Sequence, residues 1–120
     1  ERGNSTRIEL RSPDPCSNPY LALAVCLAAG LDGIKNKLTP PDSVDMNIFE
    51  LSKEERTKLG IRRLPSNLYE AIQELENSDF IKKVLGNHIS AKYIGAKKQE
   101  WDDYRKQVTQ WEMDQYLYRY

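Results

Sequence analysis

The sequence predicts an α+β fold that is mostly α, with one N-terminal strand over about residues 7–11 followed by four or five helices. Three observations predict it. Arg7-Ile8-Glu9-Leu10-Arg11 alternates polar and apolar side chains with period two, as a half-buried strand does. An apolar run from Tyr20 to Gly30 follows a helix-start signal. The remainder carries apolar residues three and four apart, punctuated by caps and glycines.

In the strand, Arg7, Glu9 and Arg11 share one face and Ile8 and Leu10 the other. Ser12-Pro13-Asp14-Pro15 ends it, because proline removes a ladder donor and fixes φ. A lone strand cannot satisfy its own ladder, so it must pair with strands outside these 120 residues. The chain opens on Glu1 and not on methionine, and sequence upstream of it is expected. Residues 1–15 are thus a strand and loop.

Asn18-Pro19 is a helix start, with Asn as N-cap and Pro at the first helical position. The helix over 18–36 is apolar nearly all round, which predicts burial on most sides. Its alanines permit close neighbours, and little in this chain could cover it. Residues 37–65 read as a loop, Thr39-Pro40-Pro41-Asp42, then a short helix opened by the Ser52–Glu55 capping box and ended at Gly60.

Residues 66–120 read as C-terminal helices and an aromatic tail. Pro65-Ser66 starts one helix, with Leu68, Ile72 and Leu75 on a stripe. Ser78 caps a brief helix carrying Phe80, Ile81 and Val84, closed by Gly86. From about Ser90 a long charged helix is expected, with Trp101, Tyr104, Val108 and Trp111 as a narrow seam. Tyr116-Leu117-Tyr118-Arg119-Tyr120 ends the chain.

Composition narrows the function classes. Eighteen basic and eighteen acidic residues cancel and are interleaved, which argues against a nucleic-acid partner. The apolar run is about half as long as a membrane span requires, and no signal peptide is visible. With two cysteines, no CxxC and one histidine, zinc sites and disulfide frameworks are not expected. Cys16 and Cys26 read as buried thiols in a reducing cytosol, and His88 as a surface or capping residue.

The row of Arg7, Glu9 and Arg11 carries the chemistry. Alternate side chains on a strand face stand about 6.5–7 Å apart, which sets a carboxylate between two guanidinium groups. Glu offers a hard oxygen ligand to Mg²⁺ or Mn²⁺, and Arg a planar fork for anions. A solvent-facing strand with alternating charge fits the same pattern.

Arg2-Gly-Asn-Ser-Thr-Arg-Ile-Glu-Leu-Arg-Ser-Pro-Asp-Pro15, Asn18-Pro-Tyr-Leu-Ala22 and Ala28-Ala-Gly-Leu-Asp-Gly-Ile34 resemble bacterial type I glutamine synthetases. The resemblance continues to Trp111-Glu112-Met113 and implies the last quarter of such an enzyme. It implies that the strand belongs to the catalytic sheet. It implies Glu9 as a metal ligand, Arg11 as a binder of substrate glutamate, and Arg7 beside the phosphate region. A structural ion pair is equally open for Arg7. A lysine that touches ATP in one branch of the family falls where this chain has Asn4.

The implied reaction joins ammonia to L-glutamate at the expense of ATP, through γ-glutamyl phosphate, with Mg²⁺ or Mn²⁺ as cofactor. The implied setting is a cytoplasmic dodecamer of two hexameric rings, with the C-terminal segment reaching the opposing ring. In Asn47-Ile48-Phe49-Glu50-Leu51, phenylalanine stands where some members carry an adenylylated tyrosine. That departure implies the feedback-regulated branch. Alone, the chain is expected to be inactive, since the other ligands and most of the nucleotide pocket would precede residue 1. The rival reading is a helical oligomerisation or interaction module, which has no need of three charges on one strand face.

Overall fold

The computed structural model describes residues 3–119. Glu1 and Arg2 of the N-terminal segment and Tyr120 of the tail lie outside the described residues. The chain divides into two compact units, Glu1–Thr39 and Pro40–Tyr120.

The first unit holds one helix, α1, Pro19–Lys35. Its start follows the sequence signal: the Asn18 side chain accepts from the Tyr20 and Leu21 N–H groups at 3.0 and 3.2 Å. Proline sits in its first turn, where its missing N–H would have had no partner. The helix runs five residues past Gly30 and ends at Asn36, with Lys35 near its C-terminal carbonyls. No residue of α1 is buried. Tyr20, Leu23, Leu27, Leu31 and Ile34 all stand exposed along it, at the three- and four-residue steps of one face. The expected burial of this helix is therefore not realised within the 120 residues.

The expected strand over 7–11 does not form. Among the described residues there is no strand, so they are all-α where the sequence predicts α+β. Ile8, meant for the buried face, is 96% exposed, and Leu10 is exposed too. The physical reason is that a ladder is made between strands. Without a neighbour the backbone groups of this segment have no ladder to join, and the alternating pattern has nothing to bury against.

The second unit begins with α2, Lys53–Lys58, and its capping box is complete. Glu55 N–H donates to Ser52 Oγ at 3.2 Å, and Ser52 N–H donates to Glu55 Oε2 at 2.8 Å. Gly60 follows at φ 68°, the left-handed conformation that ends a helix cheaply only as glycine. Next comes α3, Leu68–Asn77, capped by Asn67 and not by Ser66; Glu70 N–H donates to Asn67 Oδ1 at 2.9 Å. The expected stripe holds: Ile72 is buried, at 3% exposure, and Leu68 and Leu75 are half-buried.

α4, Asp79–Tyr104, is capped by Ser78 and broken at Gly86, where φ is 75° and ψ 159°. The break lets the second limb run back along α3. Tyr69 stacks on Trp101 at 6.1 Å and Glu76 pairs with Lys98, so partner numbers fall as residue numbers rise. Ser90 is buried within this limb at 4% exposure, with its hydroxyl unpartnered. The residue four back is Gly86, where the backbone leaves helical angles, so the usual back-bond to that carbonyl is lost.

The expected long seam is also corrected. α4 stops at Tyr104, and α5, Gln110–Tyr116, starts afresh. Trp101 and Tyr104 pack together at 5.9 Å on α4, Val108 lies in the connection, and Trp111 packs on Tyr116 within α5. Thr109 and Glu112 form a second capping box, with Thr109 N–H donating to Glu112 Oε2 at 2.8 Å. A local cap outweighs continuity of a hydrophobic spacing here.

Gly86 supports a prediction. Its backbone angles lie in a region essentially reserved for glycine, and a Cβ there would meet nothing within 4 Å. The cost of a side chain is thus backbone strain alone. Gly86→Ala is expected to destabilise the second unit by about 1–3 kcal/mol in denaturant titration followed by circular dichroism. An unchanged midpoint would show that the backbone at 86 is not held in this conformation.

The caps support another. The Ser52 side chain, with its N–H, holds the Glu55 carboxyl below the ordinary value of 4.5, and the Thr109 N–H and hydroxyl do the same for Glu112. A depressed carboxylate contributes stability that is present above the unfolded value and lost as pH falls through the lower folded one. The caps of α2 and α5 are therefore expected to open only below about pH 4.5. Side-chain carbon shifts of Glu55 and Glu112 should titrate below that value; midpoints at or above it would remove the capping bonds in solution.

Candidate functional site

The candidate residues lie between two turns. Thr6 N–H and Oγ1 both donate to the Gly3 carbonyl, at 3.1 and 2.9 Å. Downstream, Cys16 N–H donates to Asp14 Oδ1 at 2.8 Å and Ser17 N–H to the Asp14 carbonyl at 2.9 Å. That turn delivers the chain to the Asn18 cap of α1. The segment between, residues 7–13, has no regular structure.

Arg7, Glu9 and Arg11 nonetheless come together, as alternation on an extended chain dictates. Arg11 Nε donates to Glu9 Oε1 at 2.7 Å, and Arg7 Nη2 lies 3.4 Å from Glu9 Oε2. Arg7 Nη1 also donates to the Ser5 carbonyl at 3.3 Å. Each guanidinium thus takes a different oxygen of one carboxylate. Two positive charges against one negative leave the cluster net cationic.

The three side chains are 67%, 48% and 88% exposed in that order. Exposed pairs of this kind are worth about 0–1 kcal/mol each, so water and ions compete with them readily. Chemically the row offers a carboxylate to a cation and two planar forks to oxyanions.

Other candidates separate from it. Among the described residues no group of three or more His, Cys, Asp or Glu is placed to hold a metal ion. Cys16 and Cys26 are free and exposed, against the expectation of buried thiols. The reason for Cys26 is the uncovered α1 that carries it. His88 is exposed on α4, two residues past the Gly86 break, as a surface residue. Phe49 is 91% exposed in a turn where its N–H donates to Asn47 Oδ1 at 3.2 Å. Among the described residues no helix is long and apolar enough to cross a membrane.

Sequence reasoning missed the contacts that need tertiary structure or a second capping box. The Glu76–Lys98 pair spans 22 positions and has no local signal. Thr109-x-x-Glu112 did have one, the same pattern as Ser52-x-x-Glu55.

Comparison with known proteins places this arrangement. The family profile described as "Glutamine synthetase, catalytic domain" matches residues 1–116. A Staphylococcus aureus (strain MW2) protein named glutamine synthetase is 56% identical over 119 residues, 99% of this chain and 27% of its own length. One of the same name from Clostridium saccharobutylicum is 53% identical, with the same coverage. A solved structure described as "Apo GmaS without ligand" superposes with a TM-score of 0.71 at 35% identity, covering 91% of this chain and 25% of that one. The chain therefore spans about a quarter of the length of the relatives it matches. The profile match, running through the Arg7–Glu9–Arg11 row and on into α5, shows that the chain belongs to the glutamine synthetase catalytic-domain family.

Proposed function

We propose that these residues are the C-terminal part of a glutamine synthetase, an ATP-dependent ligase that joins ammonia to L-glutamate. The observation that carries this reading is the family match over residues 1–116, together with one carboxylate set between two arginines. In the proposed reaction the γ-carboxylate of glutamate attacks the γ-phosphorus of ATP and ADP leaves. Ammonia then attacks the γ-glutamyl carbonyl carbon, phosphate leaves with the electron pair of the C–O bond, and the nitrogen releases one proton to give the amide.

The charge on the transferring phosphoryl group has to be neutralised in place. Arg11 suits the carboxylate of glutamate, because a guanidinium fork matches two oxygens at once. Arg7, on the other oxygen of Glu9, suits a neighbouring phosphate in the same way. A divalent metal would find one hard oxygen donor here, Glu9, and metals of this kind commonly take one or two carboxylates and complete their shell elsewhere. The fit is that of a single ligand, with the remaining donors supplied by the rest of a longer protein. When bound, Mg²⁺ or Mn²⁺ supplies charge neutralisation to phosphate oxygens.

Finer features belong to the same proposal. The full-length protein is a cytoplasmic dodecamer of two hexameric rings, with Tyr116, Leu117 and Tyr118 in contact with the opposing ring. Phe49 has no hydroxyl to accept an adenylyl group, which supports the feedback-regulated branch. Residues Glu9, Arg11 and Arg7 serve as metal ligand, glutamate binder and phosphate neighbour.

The test is a direct assay of the full-length protein that ends in this sequence. It should convert glutamate, ammonium and ATP into glutamine, ADP and phosphate in equal amounts. ADP release that needs no glutamate, or no product at all with either metal, would defeat the reading.

A further inference from the structure

We propose that the turn Asn47–Glu50 is a docking surface for another protein, one whose matching face carries an apolar socket edged by lysine or arginine. Phe49 is the anchor. Its side chain stands 91% exposed, and the turn that carries it is held by its own bonds. Asn47 Oδ1 accepts from the Phe49 N–H at 3.2 Å, and the Asn47 carbonyl accepts from the Glu50 N–H at 3.2 Å. Asn47 Nδ2 donates to Glu50 Oε1 at 2.7 Å. An aromatic ring presented on a preformed turn has little ordering left to lose on binding. Val44, Met46 and Ile48, just before it in the sequence, are exposed as well, so the anchor lies in an apolar stretch and is not a single stray residue.

Charge identifies the partner. Asp42, Asp45 and Glu50 flank the apolar residues, and no lysine or arginine falls between Lys37 and Lys53. An apolar anchor with an acidic rim complements an apolar socket with a basic one, and it repels the phosphates of an anionic membrane. The same charges set this turn apart from α1. That helix carries no charge from Tyr20 to Leu31, so apolar surface can cover its exposed face at no electrostatic cost. The carboxylates around Phe49 are costly to bury without matching cations, which keeps this turn at the surface of a full-length protein.

Peptide binding to the full-length protein that ends in this sequence tests the proposal. A fluorescent amphipathic helix with leucine on one face and lysine on the other should bind in anisotropy titrations. Its counterpart with glutamate in place of lysine should not. Phe49→Ala should weaken the lysine peptide by about tenfold or more, the worth of burying one aromatic side chain, while glutamine formation stays at the wild-type rate. Asp45→Asn combined with Glu50→Gln should weaken it by about two- to fivefold and flatten its salt dependence. Phe49→Cys should react with a maleimide as readily as a cysteine in a free peptide, over and above any labelling of Cys16 and Cys26. Equal binding of the two peptides, an affinity untouched by Phe49→Ala, or no added labelling in Phe49→Cys would each overturn the proposal. Binding to anionic phospholipid vesicles that Phe49→Ala abolishes would make the turn a membrane contact, and would overturn it too. A Phe49→Ala protein that loses glutamine formation together with peptide binding would show that the ring holds the fold and docks nothing.

Discussion

Glu9→Ala in the full-length protein is expected to lower kcat by about 10²-fold or more and to raise the metal concentration needed for half-maximal rate. Glu9 is the carboxylate between Arg7 and Arg11, and in the proposed role alanine would leave a metal short of one oxygen ligand at a point where the neighbours are both cationic. Two effects would then add. The ion would be held less tightly, and the two guanidinium groups, no longer balanced by a carboxylate, would repel it. The bland alternative predicts something quite different. If the row were merely a charged solvent face, the substitution would remove exposed ion pairs worth about 0–1 kcal/mol and leave turnover alone. Kinetics measured across a metal titration separate the two, and unchanged parameters at every metal concentration would remove Glu9 from the ligand set. Glu9→Gln tests the charge by itself: it keeps an oxygen but not the negative charge, and should recover little.

What the sequence disclosed here was local. Asn18-Pro19, Ser52-x-x-Glu55 and Ser78 cap helices where their side chains reach N–H groups two or three residues on, and all three do so in the structure. Gly60 and Gly86 mark positive φ at the positions where a helix ends or turns back. The grouping of Arg7, Glu9 and Arg11 was equally legible, because alternation on an extended chain needs nothing but bond geometry. The strand over 7–11 does not form because a ladder depends on partners distant in sequence, and no pattern within residues 3–39 can supply them. Cover for α1 depends on such partners as well, and the sequence offers little within this chain to provide it. The long seam through Val108 failed for another reason. α4 ends at Tyr104 with Arg105 as its C-cap, and the Thr109 side chain caps a separate helix four residues on, so the spacing does not run through one element.

The 120-residue chain by itself is expected to show no ATP- and glutamate-dependent formation of γ-glutamyl hydroxamate. It spans 27% of the length of the Staphylococcus relative, and it brings to the reaction one carboxylate and two arginines. Those groups are present but not preorganised. They sit on an irregular segment, each side chain roughly half or more exposed, where water screens every charge they offer to a phosphoryl group. Charge stabilisation gains most of its value when the dipoles and ions are fixed in advance and water is excluded. Correct placement of reactants can supply about 7–11 kcal/mol of a barrier, and a segment without a ladder to hold it supplies almost none of that. A variant with Gly at every position of the row should therefore be no worse than the chain itself. The decisive comparison uses the same hydroxamate assay on the isolated chain and on the full-length protein, at equal active-site concentration and saturating metal. A rate for the chain within about a thousandfold of the full-length protein, abolished by Glu9→Ala, would mean that these residues assemble a working site on their own.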